Sequence, residues 1–343
     1  MSHILRAARA SDLQALYEMA KSTGGGFTNL PPDRKSLAAK LERAADAFGR
    51  ADDNIADDLF VFVLENTQTG DVRGTCQIFS QVGQKWPFYS YRMGMLTQHS
   101  VELDRTFRAE MLSLTTDLEG STEVGGLYLH QGERAGGLGM LIARSRYLFI
   151  RNHRTRFADK TLAELRGVID EAGGSPFWDG VAGRFFGMNF QQADEFNAVH
   201  GNQFIADLMP KHPVYTAMLP ETARAVIGIP HPTGRAAMRM LELEGFAWEN
   251  YIDIFDGGPT MTARTDQIRS VLEAHDGRIQ RVDPNLATHP SAQKMLVAHG
   301  QLADFRATYG SVAADRDGLV MDSASAALLH VSEVDVITRV GRW

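Results

Sequence analysis

The chain has 343 residues, of which 44% are hydrophobic and 22% are charged. These proportions are typical of a globular protein and exclude a collagen-like or wholly disordered chain. The 35 Lys and Arg against 42 Asp and Glu give a net charge of −7. Without a cluster of basic residues, the chain is not expected to bind nucleic acid. The single cysteine, Cys76, excludes an intrachain disulfide and a cysteine-based metal cluster.

The sequence also predicts no membrane contact. No apolar run approaches the roughly 18 residues that a membrane-spanning helix needs, and the first residues lack the pattern of a signal peptide. We therefore expect a cytoplasmic protein, and we assign no metal ligands.

Strand and helix patterns alternate along the first half of the chain. They predict a strand at 4–5, helices over 13–21 and 33–48, and a hairpin of strands 59–65 and 72–82. A short strand at 125–129, a glycine-rich loop over 131–139 and a helix over 138–151 follow. Beyond them we predict a strand over 162–169 and a helix over 177–187.

The C-terminal part repeats some of this strand-helix-strand order. The patterns predict a strand over 223–229, a helix over 231–244 and a strand over 251–255, and then an irregular, partly β tail from 284 onward. At roughly 100–200 residues per domain, we expect two units. These would be residues 1–200 and a C-terminal lobe of residues 201–343 that completes the functional site.

The central loop suggests a phosphate site. Arg134-Ala135-Gly136-Gly137-Leu138-Gly139 has the form R-x-x-G-x-G between a predicted strand and a predicted helix. Its glycines let backbone N–H groups turn toward an anion, and the start of the helix adds positive potential. The loop lacks the third glycine of a dinucleotide fingerprint and the G-K-[ST] of a P-loop. A glycine-rich turn that serves only as a tight connection is the alternative.

The loop and the order of elements around it resemble the GNAT acyltransferases over residues 1 to about 190. This resemblance implies an α/β (α+β) fold with a mixed, mostly antiparallel central sheet and flanking helices. It also implies that the pyrophosphate of coenzyme A binds at Arg134, Gly136, Gly137, Leu138 and Gly139. The strand before the loop would present a free N–H near Leu127 to the thioester carbonyl.

Longer stretches resemble the arginine N-succinyltransferase family, from the start of the chain to its tail. They are Ser22-Thr23-Gly24-Gly25-Gly26-Phe27-Thr28-Asn29-Leu30-Pro31, Leu165-Arg166-Gly167-Val168-Ile169-Asp170-Glu171, Ser175-Pro176-Phe177-Trp178, Leu208-Met209-Pro210-Lys211-His212-Pro213, His231-Pro232, Glu244-Gly245-Phe246 and Tyr251-Ile252-Asp253-Ile254-Phe255-Asp256-Gly257-Gly258-Pro259-Thr260. The resemblance implies transfer of succinyl from succinyl-CoA to the α-amino group of L-arginine, giving N2-succinylarginine and CoA in arginine catabolism. Succinyl-CoA would be a co-substrate, with no permanently bound cofactor.

The same resemblance implies a role for two residues. Leu127 would contact succinyl-CoA, and His231 would be the acid/base group. An imidazole suits this role because it titrates near pH 6.5 and can both accept and return a proton. The alternatives are that His231 only caps a helix and that His212 is the base instead, while His130 is expected to hydrogen-bond locally.

Charged substrates need charged partners. A guanidinium pairs best with carboxylates, and four acidic residues are available for it: Asp170, Glu171, Asp253 and Asp256. Gly24 and Gly25 are expected to form a wall of the acceptor-amine site. Three cations are unranked candidates for the succinyl carboxylate: Arg166, Arg184 and Lys211.

Two other functions stay open. One is succinylation of ornithine, and the other is an acyl-CoA-binding subunit that supports a catalytic paralogue. We expect a homo-oligomer or a hetero-oligomer with such a paralogue. Direct transfer without an acyl-enzyme is predicted, because Cys76 is the only thiol and the sequence has no G-x-S-x-G elbow.

Overall fold

The computed structural model describes residues 2–22, 29–134, 136–201, 203–316 and 318–342. Gly24 and Gly25 lie outside these residues, so their predicted role stays a prediction. The strands are β1 His3–Ala7, β2 Leu59–Asn66, β3 Val72–Phe79, β4 Ser90–Ser100, β5 Arg105–Thr115, β6 Thr122–Leu129, β7 Lys160–Glu164, β8 Val214–Tyr215, β9 Ala247–Ile252, β10 Pro259–Arg264, β11 His275–Asp283, β12 Gln293–His299, β13 Arg306–Asp315, β14 Gly318–Asp322 and β15 Val336–Gly341.

The helices flank this sheet. They are α1 Leu13–Ser22, α2 Arg34–Gly49, α3 Leu138–Asn152, α4 Pro176–Gly180, α5 Gly183–Phe186, α6 Phe190–His200, α7 Gln203–Leu208, α8 Glu221–Arg224, α9 Arg235–Leu243, α10 Arg269–Leu272 and α11 Ser323–Leu329. In the described ranges, no helix is both long enough and apolar enough to span a bilayer.

The central sheet runs in the order β1-β2-β3-β6-β7-β10-β9-β4-β5-β8. Its neighbours are antiparallel except β6 and β7, which are parallel. β2 reads as a continuous apolar run because helices pack on it: Phe48 of α2 and Phe149 of α3 lie 5.1 and 4.9 Å from the ring of Phe60. The prediction of a mixed, mostly antiparallel, GNAT-like sheet with flanking helices is confirmed.

The parallel pair opens into a V. β6 and β7 are paired only at Thr122–Thr161 and Glu123–Leu162, after which β6 continues to Leu129 along β3. β7 instead follows β10. The gap between the two diverging strands therefore exposes backbone and side chains in the middle of the sheet.

The tail is more regular than predicted. Strands β13, β14, β11, β15 and β12 pair in that order, and β12 pairs again with β13, so the five strands form a closed barrel. Its interior contains Ile279, Val297, Leu319 and Ile337, and all four are buried. Regular strands thus replace the expected irregular tail. The first half of β13 also pairs with β1, which joins the barrel to the central sheet.

Other elements show where local patterns misled. The predicted strand over 223–229 is wrong, because α8 occupies its start. This helix packs closely on α4: a Cβ added to Gly180 would lie only 2.4 Å from the Cβ of Ala223. The predicted 162–169 strand ends at Glu164, and the predicted 177–187 helix is the pair α4 and α5. The β4–β5 hairpin was missed because it is largely exposed on both faces and lacks apolar alternation.

Candidate active site

A bulge lies in β6 beside the V-shaped opening. Thr75 pairs with Tyr128 and Gln77 with Gly125, so Gly126 and Leu127 together oppose the single residue Cys76. Gly126 has φ +59°, and a Cβ there would lie 2.8 Å from the Gln77 side chain. A bulge takes a residue out of the ladder. The bulge falls at Leu127, whose backbone N–H stays a predicted oxyanion donor.

Buried polar groups support this bulge from one side. Lys40 donates to Gln77 Oε1 at 2.9 Å and to the Asn29 carbonyl, and Gln77 donates to Asn29 Oδ1 at 2.6 Å. Burial lowers the pKa of Lys40 to about 8, against the opposing attraction of Glu123. Burial likewise raises the pKa of Glu123 to about 7, against a hydrogen bond from Asn29 and the charge of Lys40. Through Glu123, this network connects Asn29 to the bulged strand.

The glycine-rich loop leads directly into α3. Gly136 and Gly137 have φ +69° and +83°, which L side chains rarely adopt, and Gly137 is the N-cap of α3. The first amide groups of a helix have no intrahelical partner and attract anions. Gly139 has no such backbone requirement, and the nearest atom to a Cβ there is 4.0 Å away. Arg134 is exposed beside the loop.

A cleft of about 270 Å³ lies where β7 ends. Four carboxylates line it: Glu164 at the end of β7, Asp194 of α6, and Asp253 and Asp256 in the turn between β9 and β10. Arg166 and Asn29 line it as well. Such a concentration of negative charge in one cleft suits a ligand with a cationic group.

The carboxylates raise one another's pKa values. Burial, reinforced by the charge of Asp253, raises the pKa of Asp256 to about 8 and that of Asp194 to about 6. The pKa of Glu164 lies well above its usual value for the same two reasons, and burial raises the pKa of Asp253. These shifts favour partial protonation of the four carboxylates, and a bound cation would reverse that preference.

Asp253 and Asp256 also fix the backbone around the cleft. Asp256 accepts from Gly167 N and Gly258 N, both at 2.8 Å, while Asp253 Oδ1 accepts from Phe255 N at 2.7 Å and Asp256 N at 2.8 Å. Glu164 differs, because it accepts no hydrogen bond from the described residues. Asp194 likewise accepts none from them, so these two carboxylates are the ones most available to a ligand.

Arg166 and His231 meet at the edge of the cleft. The backbone N–H of His231 donates to the Arg166 carbonyl at 2.7 Å. The imidazole Nδ1 of His231 lies 2.8 Å from Thr233 Oγ1. Burial and the charge of Arg166 lower the pKa of His231, which favours the neutral imidazole. The Nε of Arg166 is buried without a hydrogen-bond partner in the described part of the chain.

The other sequence candidates lie apart from the cleft lining. Asp170 closes a local turn through Ala172 N and Gly174 N at 2.9 and 2.8 Å. Glu171, Arg184 and His212 are exposed, and Lys211 donates to the Ala206 carbonyl. His130 accepts from Gly132 N at 3.2 Å, as predicted for a local role.

Sequence reasoning missed the carboxylates that the fold brings to the cleft from distant elements. The sequence predicts Glu164 inside a strand, and it predicts no element around Asp194. Lys40 and Glu123 carry no motif, and only their burial together reveals the pair. No local motif marks Glu164 or Asp194, so only the fold brings them to the cleft.

Comparisons with known proteins agree along the whole chain. The model of the arginine N-succinyltransferase beta subunit matches residues 3–270, and that of its C-terminal domain matches residues 279–340. Arginine N-succinyltransferase subunit beta of Pseudomonas aeruginosa is 40% identical over 330 residues, which are 96% of this chain and 95% of that one. Arginine N-succinyltransferase of Citrobacter koseri is 40% identical over 321 residues, which are 94% and 92% of the two chains.

A solved structure gives the same result. Arginine/ornithine succinyltransferase subunit AI from Pseudomonas aeruginosa has a TM-score of 0.87 at 31% identity, covering 99% of this chain and 98% of that one. The predicted family is confirmed. The chain belongs to the arginine N-succinyltransferase family and is an acyltransferase with a GNAT-like fold.

Proposed function

We propose that the protein transfers the succinyl group of succinyl-CoA to the α-amino group of L-arginine. The observation that carries this proposal is the juxtaposition of an acidic cleft with a bulged, splayed strand. The cleft suits a guanidinium, and the bulge near Leu127 suits a thioester carbonyl. The chain is similar over nearly its full length to proteins named for this reaction.

The coenzyme would enter along the V between β6 and β7. Its pyrophosphate would lie against the amides from Gly136 to Gly139, and Arg134 would add a cation at the edge of the loop. Its acyl end would then reach the bulge at Leu127. Succinyl-CoA is consumed in the reaction and is a co-substrate rather than a resident cofactor.

The acceptor would lie in the cleft. Glu164, Asp253 and Asp256 support binding of the cationic side chain of arginine, and Asn29 links this pocket to Gln77 of β3, the strand that pairs with the bulged strand. Arg166 is the most plausible cation for the succinyl carboxylate, because its buried Nε faces no partner in the described chain and it lines the cleft. Asp170, Glu171, Arg184 and Lys211 have no comparable support.

The chemical step is direct. The neutral amine nitrogen attacks the thioester carbon, the new C–N bond forms, and the C–S bond breaks as the tetrahedral intermediate collapses. A backbone N–H near Leu127 would stabilise the oxyanion. His231 would take the proton lost by the amine and return one to the CoA thiolate, and its lowered pKa supports the role of base. No step needs Cys76, whose pKa burial raises to about 12.

The C-terminal lobe over 201–343 would complete the site, since it supplies Asp253, Asp256 and His231. Ornithine is the second acceptor, because the same carboxylates would attract its side-chain ammonium and one similar structure is described as an arginine/ornithine enzyme. Relatives named as subunits also support an oligomer with copies of itself or with a paralogue.

The test uses the purified chain alone. CoA release would be followed with succinyl-CoA plus L-arginine, with L-ornithine, and without an acceptor, and the product would be identified by mass spectrometry. We expect arginine-dependent CoA release and N2-succinylarginine. Acyl-CoA binding without turnover would instead identify a support subunit, and faster turnover of ornithine would reverse the order of acceptors.

A further inference from the structure

The closed barrel contacts the glycine-rich loop directly. Arg342, which follows β15, donates from Nη2 to the Gly136 carbonyl at 2.8 Å. Tyr309, in β13, donates from its hydroxyl to the Gly137 carbonyl at 3.1 Å. Two consecutive carbonyl groups of the loop therefore accept hydrogen bonds from the barrel, one from β13 and one from the residue after β15.

The two side chains also support one another. The Arg342 guanidinium stacks 4.3 Å from the centre of the Tyr309 ring, an arrangement that favours a fixed guanidinium plane. Tyr309 is buried, so it gives Arg342 a rigid base. A Cβ on Gly137 would lie 2.8 Å from Arg342 Nη2, which shows how closely the guanidinium approaches the loop.

This contact determines which way the loop points. When its carbonyls are bound on the barrel side, the peptide planes turn their N–H groups in the opposite direction, where an anion would lie. Arg342 therefore lies on the carbonyl side of the loop and acts by orienting the loop rather than by contacting the anion.

We propose that Arg342 and Tyr309 are positioning residues of the coenzyme site. Both would hold the loop in its anion-binding conformation, from the side of the loop opposite the pyrophosphate of the acyl-CoA. This inference rests on the proposed function, and it gives the barrel a role in coenzyme binding.

The test measures binding of CoA and of dephospho-CoA, which lacks the 3′-phosphate, to the full chain. Arg342→Gln should weaken the binding of both ligands by about 10-fold, because one charge-assisted contact is lost. Arg342→Lys should recover part of that loss, and Tyr309→Phe should weaken both ligands about 3- to 5-fold. Arg316→Gln removes a charge from the exposed turn between β13 and β14 and should change neither.

Steady-state kinetics separates positioning from general damage. Arg342→Gln should raise the KM for succinyl-CoA by about 10-fold while kcat and the KM for arginine stay within 2-fold. Unchanged CoA affinity in Arg342→Gln, with a wild type that binds CoA, would overturn the inference. A loss seen with CoA but not with dephospho-CoA would place the effect at the 3′-phosphate and would also overturn the inference. A wild type that binds neither ligand would instead refute the proposed coenzyme site.

Discussion

The two halves of the candidate site are built in different ways. The coenzyme half consists of consecutive residues, and its anion-binding groups are backbone amides around Gly136 and Gly137. The acceptor half consists of side chains from β7, α6 and the β9–β10 turn, and its charges are buried carboxylates. One half depends on conformation, whereas the other depends on electrostatics that only the complete fold creates.

This difference predicts different responses to mutation and pH. Changes in the loop should alter coenzyme affinity without affecting the titration of the cleft. Changes in the cleft should alter acceptor affinity, stability and pH dependence together, because the same buried charges govern all three. A variant that violates this separation would show that the two halves are coupled.

The largest effect is expected at His231, the proposed base. His231→Ala should lower kcat by roughly 10²–10⁴, with succinyl-CoA binding unchanged, because the base is lost and the loop is not. Part of the rate should return at high pH, where more free amine is present. The matched control is His212→Ala, an exposed histidine, which should retain wild-type turnover. A loss of only a few-fold in a folded His231→Ala enzyme would assign the residue to helix capping.

The acceptor half is tested by Glu164→Gln. Loss of one charge-assisted contact should raise the KM for arginine by about 10- to 100-fold, with little change in the KM for succinyl-CoA. The variant should also be more stable than wild type without ligand, because a buried charge next to like charges is removed. Glu171→Gln, an exposed carboxylate, is the control. Reduced stability together with unchanged arginine affinity would contradict the assignment.

The coenzyme half is tested by Gly139→Ala. The site has ordinary helical geometry and room for a methyl group in the free protein, so stability should stay the same or rise by up to about 1 kcal/mol. We nevertheless expect CoA affinity to fall about 10-fold, because the methyl group would occupy space needed by the pyrophosphate. Thermal unfolding and CoA titration measure the two effects. Unchanged affinity would place the phosphate elsewhere.

The pH dependence should separate the halves further. Folding raises the pKa of the cleft carboxyl groups. Their contribution to stability is therefore fully present below their unfolded pKa, near 4, and is lost as the pH rises through their folded pKa. For Asp194 and Asp256 the folded pKa values are about 6 and about 8. The ligand-free protein should therefore lose stability between about pH 4 and 8, and Glu164→Gln should lose less.

Arginine should counter this loss, because a bound cation favours ionised carboxylates. Its stabilising effect should grow from pH 6 to pH 8, and its binding should release protons, seen as a calorimetric heat that depends on the buffer. CoA binding should show no comparable proton release from these carboxylates. Arginine stabilisation that stays constant with pH would contradict the electrostatic account of the cleft.

The smallest effect is expected at Cys76. Cys76→Ala should keep turnover within about 2-fold of wild type, because the buried thiol contacts the Ile142 carbonyl and takes no part in the transfer. Mass spectrometry after mixing wild type with succinyl-CoA alone should show no succinyl-enzyme. A trapped adduct would refute direct transfer.

The sequence predicted those parts of the molecule that local chemistry determines. Asp33 caps α2 through Ser36 N at 2.7 Å, the 138–151 pattern corresponds to α3, and the glycine-rich loop lies between a strand and that helix. It offered Asp253 and Asp256 for the guanidinium but not Glu164, because Glu164 and Asp256 meet only through the pairing of β7 with β10. It also missed the closed barrel, whose ends are joined by pairing of β12 and β13.

The sharing of β13 between the sheet and the barrel has a consequence for any attempt to divide the chain. Residues 3–270 produced alone would lack β13, and the backbone of β1 would lose its partners at Leu5 and Arg6. An uncovered strand edge of this kind can pair with other molecules. Such a truncated protein is thus expected to self-associate through β1 and form aggregates, so the barrel also serves as a cover that keeps the catalytic sheet from polymerising.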